Sequence, residues 1–566
     1  MQDPMSTDER QPLLYSPEGS RHGDSGAYSQ NGDRHQEDGP NKGKTDEASR
    51  LAALQALPWY QRPSVYWLLP FVLVLGIDMG MSTAPITYLI IKIVCRRYQQ
   101  SNNLLFDGDM LYAPEDSCDA PEIQAMGATL MSRTTALEIA IGIFTIGYYT
   151  SLSDRYGRKF LIYLTLVQGL IQQALIFYMS RPTNTLGLWA LYVNAIFKGL
   201  SGAGMLLDPS LSAYTSDCVP SGEMSKFMGI TVVFVSVGII IGPMLGRFLI
   251  TSTGRTSTPV MVSVCITFLL VLFMAVIPES LPKSAQLDAE REAAERKARN
   301  DGSVLAKAKQ FFKSIFDPVL FLLPGRMETA DDVDTPPSRY TLLIIIAANG
   351  VLQVSIELVR SVFIPYMNVV YSWTAVESST YYIIKGIASF VVFTAIFPGL
   401  QKVYKKIAGQ EKKSRTVHDE TQFTGDAAPA VSGEKNAAVR MDLIFLIFGC
   451  IVFLVAFIIV PLSKNETIVL VSACIQELGN VVGPAYLAFM TSHVPSHQTG
   501  KALGGMAGLN AIFTSVGTLL GAKIFSKTST TAPSTVFNVA ASISFLAFLI
   551  TFGVWGSYRR RRVTAL

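Results

Sequence analysis

The sequence has little charge and few of the residues that enzymes use for chemistry. Asp, Glu, Lys and Arg make up 16% of its 566 residues, whereas 49% of the residues are hydrophobic. Its five histidines all fall outside the long apolar segments, and its six cysteines lack the spacing of a metal site. It has neither a phosphate-binding Gly-rich loop that ends in Lys-Ser/Thr nor a nucleophile elbow. We therefore expect no enzymatic reaction, no metal, no cofactor, and no use of ATP as a driving force.

The hydrophobic residues gather into twelve long apolar segments. Each holds roughly 20 to 25 residues, the length that a helix needs to cross about 30 Å of hydrocarbon. Backbone hydrogen bonds must close within each segment in lipid, so we expect helices rather than strands. In chain order these segments, called spans 1 to 12 below, are 65–91, 123–149, 160–180, 187–211, 226–250, 259–278, 340–366, 379–399, 442–461, 467–490, 503–525 and 534–556. The sequence thus predicts an all-α protein with twelve transmembrane helices in a lipid bilayer.

An internal repeat relates spans 4 and 5 to spans 10 and 11. The segments 209–229 and 484–504 align at a single offset of 275 residues, with identical residues at seven positions. A motif Ser-Val-Gly-x-x-x-Gly ends at Gly242 in span 5 and recurs in span 11, where it ends at Gly521. A duplication halfway along the chain predicts two pseudo-symmetric six-helix bundles, with the substrate site between them.

Charged stretches separate and flank the two predicted bundles. Lys and Arg are concentrated in the stretch 401–440 and at the C-terminal end, which by the positive-inside rule places both termini in the cytoplasm. The net charge of +4 is therefore a topology feature, and we expect no nucleic-acid partner. The predicted units are a disordered cytoplasmic tail with a short amphipathic helix at 1–62, an N-terminal bundle at 63–278, a cytoplasmic connector at 279–339, a C-terminal bundle at 340–558 with a long cytoplasmic loop at 401–441, and a basic cytoplasmic tail at 559–566.

A dense cluster of charge stands on the short loop between spans 2 and 3. A topology anchor would account for such charges, but the pattern is also similar to the signature of the major facilitator superfamily, Gly-x-Leu-x-Asp-Arg-x-Gly-Arg-Arg/Lys. Thr150 replaces the first Gly, and the remaining positions are filled by Leu152, Asp154, Arg155, Gly157, Arg158 and Lys159. The resemblance implies a secondary transporter that works by alternating access. It also implies a cytoplasmic gate, in which Asp154 pairs with Arg158 and with a helix end of the other bundle.

Span 5 contains a glycine motif made of Gly238, Gly242, Pro243 and Gly246. Glycines four residues apart let another helix approach closely, so a general helix-packing face is one interpretation. The other is a resemblance to the span 5 motif of facilitator antiporters, Gly-x-x-x-Gly-Pro-x-x-Gly-Gly, which implies a role in occlusion and in preventing proton leak. Arg247 stands where the last Gly of that motif would be.

Ionisable residues lie deep inside several spans, although a charge at mid-bilayer costs several kcal/mol. Because such groups must face a partner or a water-filled cavity, we treat them as candidates for binding protons or substrate: Asp78 in span 1, Glu138 in span 2, Lys198 in span 4, Glu357 and Arg360 in span 7, and Glu477 in span 10. Glu357 and Arg360 are three residues apart, so a simple pair between them is the alternative. Asp78 and Glu477 have no basic residue within one turn. Each would hold a proton, meet a cationic substrate or find a partner on another helix.

Lys198 begins the sequence Lys-Gly-Leu-Ser-Gly-Ala-Gly in span 4. This sequence is similar to the span 4 motif of the family, Arg-x-x-x-Gly-x-Gly, whose Arg is thought to assist proton transfer. Lys can place a charge there, but it lacks the planar fork of Arg. The resemblance implies a related role for Lys198.

Two features of the loops concern covalent modification. Cys95 and Cys118 flank the first extracytoplasmic loop, where oxidation is permitted, and both a disulfide and two free thiols stay open. Asn465-Glu-Thr467 is an N-glycosylation sequon. Because its loop is very short, we expect it to stay unmodified.

Within the superfamily, the chain resembles eukaryotic, especially fungal, facilitators related to tetracycline exporters and to proton-coupled folate and haem carriers. The resemblance rests on the Cys-bounded acidic loop, the segment Pro121-Glu-Ile-Gln124 after it, and Ala213-Tyr-Thr-Ser-Asp217 after span 4. It implies the export of a small organic molecule, such as a secondary metabolite or drug-like compound, in exchange for protons, with the proton gradient as driving force. The alternatives are a proton-coupled importer of a folate-like or other nutrient and, more remotely, a non-transporting membrane sensor. We expect a monomer, and we favour the plasma membrane slightly over the vacuolar or lysosomal membrane.

Overall fold

Helices form nearly all of the described chain. The computed structural model describes residues 58, 60–101, 118–181, 184–219, 224–299, 339–404, 406, 429–494 and 499–564. In this part of the chain the structure contains helices and short turns but no strand. Eleven of these helices are long and apolar enough to cross a membrane, and they correspond to the predicted spans 1–3 and 5–12. The predicted amphipathic helix of the tail lies outside the described residues.

The helices of the N-terminal bundle follow the predicted order. Span 1 is Val65–Ser101, span 2 is Pro121–Tyr156, span 3 is Arg158–Met179, span 5 is Met224–Thr253 and span 6 is Ser257–Val276. The connector begins with the helix Lys283–Arg299.

The C-terminal bundle contains longer helices than the sequence predicts. Span 7 is Arg339–Arg360 continued as Phe363–Tyr371, span 8 begins as Ala375–Val391 and passes through a π-helical turn at Val392–Ile396, span 9 is Pro429–Leu462, span 10 is Glu466–Gly479 followed by Val482–His493, span 11 is Thr499–Thr528, and span 12 is Thr535–Thr564. Span 9 therefore begins inside the predicted loop 401–441, and span 12 runs through most of the predicted basic tail at 559–566. Neither added stretch contains an internal proline that would stop the helix.

Span 4 is broken in the middle, which corrects the prediction of one continuous helix at 187–211. It consists of two helices, Trp189–Leu200 and Leu207–Cys218. Between them, residues 202–204 have φ angles of +89°, +53° and +78°. These are left-handed values that a helix of L-residues does not sustain, and the middle residue, Ala203, adopts one without being a glycine.

A proline follows the break at the same place in both repeats. Pro209 is the third residue of the second helix in span 4, and Pro484 is the third residue of the second helix in span 10. Each proline lacks the N–H that would bond to the carbonyl four residues earlier, so it removes one hydrogen bond that would otherwise span the break. In span 10 the interruption is confined to Asn480 and Val481. The repeat thus extends to the geometry of the helices, and the wider break in span 4 reflects its glycines.

Spans 1 and 5 pack backbone against backbone through glycines. A Cβ atom added to Gly238 would lie 2.9 Å from the Cα of Gly76, and one added to Gly242 would lie 2.9 Å from the Cα of Gly80. A Cβ on Gly246 would likewise lie 2.9 Å from a carbonyl oxygen in the next turn of span 1. Because no larger residue fits without moving a helix, the structure gives the span 5 motif a packing role.

The C-terminal bundle repeats this contact between spans 7 and 11. A Cβ atom on Gly517 would lie 2.7 Å from the carbonyl oxygen of Val354, and one on Gly521 would lie 3.0 Å from the carbonyl carbon of Leu358. The shared motif of spans 5 and 11 therefore has the same packing role in each bundle. It lets one helix lie directly on the backbone of another.

We expect Gly242→Ala to destabilise the protein by about 1–3 kcal/mol, because the added methyl group would overlap the backbone of span 1. Gly229→Ala is the matched control, since Gly229 lies on the same helix and a Cβ there meets nothing within 4 Å. Alanine at such an open helical position favours the helix by roughly 0.5–1 kcal/mol. Unfolding of the two purified variants in detergent measures both effects, and equal stabilities would contradict the backbone contact.

Candidate transport site

Asp78 lies on the side of span 1 that faces away from span 5, because it is half a helical turn from both glycines of that contact. It is 3% exposed and packs against spans 3 and 6. Ser263 Oγ donates to Asp78 Oδ1, while Gln173 Nε2 and Thr267 Oγ1 each lie 3.0 Å from Oδ2. Thr267 Oγ1 also lies 2.9 Å from Gln173 Oε1. The described partners of this buried carboxyl group are thus all neutral.

Glu138 and Lys198, two separate candidates in the sequence, form an ion pair between spans 2 and 4. Lys198 Nζ lies 3.1 Å from Glu138 Oε2. Lys198 is also near the end of the first helix of span 4, where Thr145 Oγ1 of span 2 donates to the carbonyl of Gly199 at 2.9 Å. Span 2 therefore holds the first helix of the broken span through both a charge pair and a backbone carbonyl.

Glu477 is paired with Lys385, which is not among the predicted candidates. Lys385 Nζ of span 8 lies 3.5 Å from Glu477 Oε1, and Asn480 Nδ2 donates to Glu477 Oε2 at 2.8 Å. The glutamate is 2% exposed, so both partners compensate for its removal from water.

Glu357 makes a similar pair of contacts within span 7. Arg360 Nη1 lies 3.1 Å from Glu357 Oε1, and Gln353 Nε2 donates to the same oxygen at 3.1 Å. The alternative of a simple Glu357–Arg360 pair is therefore the arrangement that the structure adopts. The arginine side chain is 75% exposed, whereas the glutamate side chain is only 9% exposed.

The charged motif between spans 2 and 3 ties together several helix ends of the N-terminal bundle. Arg158 Nε lies 3.2 Å from Asp217 Oδ2 at the end of span 4, and Ser280 Oγ donates to the same oxygen at 3.1 Å. The side chains of Leu152 and Arg155 are half-buried and exposed, respectively. We call this side of the protein the motif end.

Glu279, just after span 6, caps the first turn of span 3. Its carboxylate accepts the backbone N–H groups of Arg158 at 2.9 Å and Lys159 at 3.2 Å, where the positive end of the helix dipole favours an anion. Gly157 has a φ of +95°, and a Cβ there would lie 2.7 Å from the carboxyl carbon of Glu279. The positive φ therefore favours a glycine at this position, and the absence of a Cβ leaves room for the Glu279 carboxylate.

The predicted partner of Arg158 in the gate was Asp154. The backbone at Asp154 is helical, but its side chain lies outside the described part of the chain. The Asp154–Arg158 pair and the contact with the other bundle therefore stay predictions. Asp217 and Glu279 are additional acidic groups of the motif end, and neither was a predicted site residue.

The opposite side of the protein, called the disulfide end, contains the bond between Cys95 and Cys118, whose Cα atoms are 5.5 Å apart. Next to it, Asp119 Oδ1 accepts a hydrogen bond from Asn368 Nδ2 of span 7 at 2.9 Å. The disulfide thus holds the start of span 2 at a place where the two bundles touch. Asn465 is exposed at this end, where its side chain accepts the N–H of Thr467 at 3.0 Å and caps span 10.

Further hydrogen bonds join the bundles at the disulfide end. Tyr88 Oη of span 1 donates to the carbonyl of Trp373 at 2.8 Å and lies 3.0 Å from Ser378 Oγ. Arg247 Nη1 of span 5 donates to Thr380 Oγ1 of span 8 at 2.6 Å. We call these contacts, together with Asp119–Asn368, the latch.

Comparison with known proteins identifies the family. The model of the Major Facilitator Superfamily matches residues 120–409. The chain belongs to the major facilitator superfamily. It is similar to the MFS-type transporter avaJ of Aspergillus versicolor, with 23% identity over 511 residues, 90% of this chain and 86% of that protein. It is also similar to the class H tetracycline resistance protein of Pasteurella multocida, with 28% identity over 161 residues, 28% of this chain and 38% of that protein.

Solved structures of facilitators have the same fold. The crystal structure of a D-xylose–proton symporter superposes with a TM-score of 0.53 and 12% identity, and the match covers 86% of this chain and 97% of that one. The predicted family, the all-α fold of two six-helix bundles and the prediction of a membrane transporter rather than an enzyme are confirmed.

Within this facilitator, the candidate residues occupy separate places. Asp78 lies on the face of span 1 that packs against spans 3 and 6. Glu138 and Lys198 lie beside the break of span 4, and the two acidic residues of the C-terminal bundle, Glu357 and Glu477, lie on spans 7 and 10. Lys385 could have been identified from the sequence, because it is an ionisable residue inside an apolar span, as the predicted candidates are. The uncharged partners of Asp78 carried no comparable signal, because Ser, Thr and Gln are common in such helices.

We expect Arg158→Gln and Asp217→Asn to be non-additive, because each substitution removes the same ion pair. A double-mutant cycle on unfolding free energies should give a coupling of about 0.5–3 kcal/mol. Arg155→Gln is the control, since Arg155 belongs to the same motif but is exposed. Its effect should add to that of Asp217→Asn. Additivity in the Arg158 cycle would disprove the assignment of this pair.

We expect Tyr88→Phe to weaken the latch, because it keeps the ring but removes the hydroxyl contacts. A hydrogen bond contributes about 0.5–1.5 kcal/mol, so the population open at the disulfide end should rise roughly twofold to tenfold. Spin labels on Ser252→Cys and Lys464→Cys, in a background without the free cysteines, report the separation of the bundles at this end. Tyr178→Phe is the control, since Tyr178 is 43% exposed on span 3. A distance distribution that Tyr88→Phe leaves unchanged would rule out the latch.

Proposed function

We propose that this facilitator is a proton-coupled exporter, which exchanges protons for a small organic molecule. The observation that carries the proposal is the arrangement of hydrogen bonds around Asp78. Two further findings support it: the similarity to a tetracycline resistance protein, and the resemblance of the span 5 motif to that of facilitator antiporters.

The contacts around Asp78 need one more hydrogen than its neutral partners supply. If the carboxyl group is ionised, Thr267 has one hydroxyl hydrogen for two oxygen neighbours, Asp78 Oδ2 and Gln173 Oε1. Turning the Gln173 carboxamide around does not help, since its oxygen would then face Asp78 Oδ2. A proton on the carboxyl group supplies the missing hydrogen in either arrangement. Asp78 is therefore our candidate for the group that carries the proton.

Span 1 can link this proton to the movement of the bundles. One face of the helix is fixed to span 5 by glycines, and the opposite face presents Asp78 to spans 3 and 6. Loss of the proton would leave two oxygens in contact without a hydrogen and would favour a shift of span 1 against spans 3 and 6. Span 1 also carries Tyr88 of the latch, ten residues or about 15 Å further along the helix.

Arg247 is compatible with an antiporter. It replaces the last glycine of the span 5 motif, but its side chain donates to Thr380 of the other bundle. The three glycines that pack on span 1 are all present. The departure from the motif is thus accounted for by a contact in the latch.

Two observations support our proposed orientation of the protein in the membrane. A disulfide forms in an oxidising compartment, and the four arginines at 559–562 belong on the cytoplasmic side. We therefore place the disulfide end outside the cytoplasm and the motif end inside it. In this orientation, the latch closes the outer side.

We expect everted membrane vesicles with an acidic interior to accumulate at least one compound from a cell metabolite extract, as measured by mass spectrometry. A protonophore should abolish the accumulation. Asp78→Asn should reduce gradient-driven accumulation at least tenfold while exchange of the compound continues, because asparagine can supply the extra hydrogen permanently but cannot release it. Asn538→Asp is a control for expression and handling, since Asn538 is exposed on span 12.

Three outcomes would contradict the proposal. Accumulation that survives the protonophore would exclude proton coupling. Full driven transport by Asp78→Asn would remove Asp78 as the proton carrier. Net movement out of acidic-interior vesicles, with the gradient, would make the protein a proton-coupled importer.

A further inference from the structure

The C-terminal bundle contains a cavity of about 380 Å³ between spans 7, 9, 10 and 11. This is the volume of about a dozen water molecules at roughly 30 Å³ each, and it is within the range of small-molecule sites. Gly483 and Leu487 in its wall are exposed, so the cavity is open on that side. The residues considered so far for proton binding do not line it.

The wall of the cavity combines carboxamides with apolar groups. Four residues of the wall carry a carboxamide, and we call them the carboxamide cluster: Asn349, Gln353, Asn480 and Asn510. The aromatic residues of the wall are Phe453 and Tyr486. The other residues of the wall are Met506, aliphatic residues and a glycine, and none of the thirteen residues that line it carries a formal charge. A charged ligand would find no counter-charge in this wall. An uncharged ligand would find both hydrogen-bonding and apolar surface.

Two of the carboxamides are oriented by acidic residues outside the cavity. Gln353 Nε2 donates to Glu357, and Asn480 Nδ2 donates to Glu477. An ionised carboxylate only accepts hydrogen bonds, so the NH₂ end of each carboxamide is fixed toward its acid. This leaves the carbonyl oxygens of Gln353 and Asn480 as acceptors for a ligand.

The charges of these acids are balanced on their other side. Arg360 pairs with Glu357, and Lys385 pairs with Glu477. The C-terminal bundle thus contains two series of cation, carboxylate and carboxamide, Arg360–Glu357–Gln353 and Lys385–Glu477–Asn480. Only the uncharged carboxamide of each series lines the cavity. The negative charges orient the site without being presented to the ligand.

The remaining two carboxamides contact each other. Asn349 Nδ2 donates to Asn510 Oδ1 at 3.4 Å, a long bond that leaves the carbonyl of Asn349 and the NH₂ of Asn510 available. In sum, the carboxamide cluster offers the carbonyl oxygens of three residues as acceptors and one NH₂ group, that of Asn510, that makes none of these contacts. This composition suits a ligand with several O–H or N–H groups.

The internal repeat indicates that the helix geometry alone does not require these carboxamides. At the offset of 275 residues, Asn480 corresponds to Met205 in span 4. Both positions belong to the break before the shared proline, yet one holds a carboxamide and the other an apolar side chain. The polar residue at the cavity is therefore a property of one bundle rather than of the fold.

We infer that this cavity is the part of the expected site between the bundles that the C-terminal bundle contributes. We infer further that the transported molecule is uncharged, with several hydroxyl or amide hydrogens and an apolar ring that packs on Phe453 and Tyr486. The inference rests on the proposed function only in taking the ligand to be the transported molecule. It selects, among small organic molecules, neutral polyfunctional compounds over amines and carboxylates.

The test uses a metabolite extract separated by ion exchange into neutral, cationic and anionic fractions. The neutral fraction should raise the unfolding temperature of the purified full-length protein, and the charged fractions should not. Asn349→Leu and Asn510→Leu should each raise the concentration of neutral fraction needed for half of this shift about tenfold. Asn538→Leu, which replaces an exposed asparagine on span 12, should leave it unchanged. The unfolding temperatures without ligand show whether each variant is folded.

The outcomes separate this inference from the proposed function. Stabilisation by a charged fraction, by none of the fractions, or equally in the wild type and in both cavity variants would overturn the cavity assignment, whatever the vesicle assay shows. Selective stabilisation by the neutral fraction, weakened in both cavity variants, would uphold it even if accumulation in vesicles proved independent of protons.

Discussion

The backbone contact between spans 1 and 5 constrains the rest of the N-terminal bundle. Glycines occupy the touching face of span 1, so any polar side chain of the helix must lie elsewhere on its surface. Asp78 lies on the opposite face, where spans 3 and 6 cover it and exclude water. A carboxyl group buried there requires hydrogen-bond donors, because burying it alone costs several kcal/mol. Ser263, Thr267 and Gln173 supply them. The position of the proposed proton carrier thus follows from the packing motif on its other side.

The two ends of the protein are held by interactions of different kinds. At the motif end, Arg158–Asp217 and the capping of span 3 by Glu279 are contacts within the N-terminal bundle, so they can persist when the bundles move. At the disulfide end, the latch runs between the bundles and contains hydrogen bonds. Each contributes about 0.5–1.5 kcal/mol where both groups are neutral and about 1.5–3 kcal/mol where one is charged. Such contacts can break and re-form in every cycle. The covalent bond between Cys95 and Cys118 keeps Asp119 in place for their return.

The sequence predicted the elements better than their interruptions and contacts. Eleven spans, the repeat and the close packing at Gly238 and Gly242 follow from composition and spacing, because a bilayer and a helix each impose a fixed length or period. The break in span 4 did not follow, since an apolar segment containing glycines looks continuous. Its indication was Pro209, which recurs as Pro484. The pairs Glu138–Lys198 and Lys385–Glu477 join different helices, and their formation depends on helix rotations that spacing along one chain does not determine.

The two bundles share one scaffold but place their acidic residues on opposite faces of its first helix. Gly242 contacts the carbonyl of Ile77, and Gly521 contacts that of Leu358, so equivalent positions in spans 1 and 7 are 281 residues apart. By this correspondence Gly76 becomes Glu357, whose Cβ is 2.9 Å from a Cβ added to Gly517, and Asp78 becomes the apolar Val359. In span 1, Asp78 therefore lies on the face opposite the helix contact, where spans 3 and 6 of its own bundle cover it. This buried position fits its proposed role as the proton carrier. In span 7 the acid lies at the contact itself, with its charge balanced by Arg360 and its remaining hydrogen-bonding capacity used to orient Gln353 at the cavity. A duplicated fold can in this way place the proposed proton carrier and the proposed ligand site on opposite faces of equivalent helices, because the two helices differ at the two positions Gly76/Glu357 and Asp78/Val359.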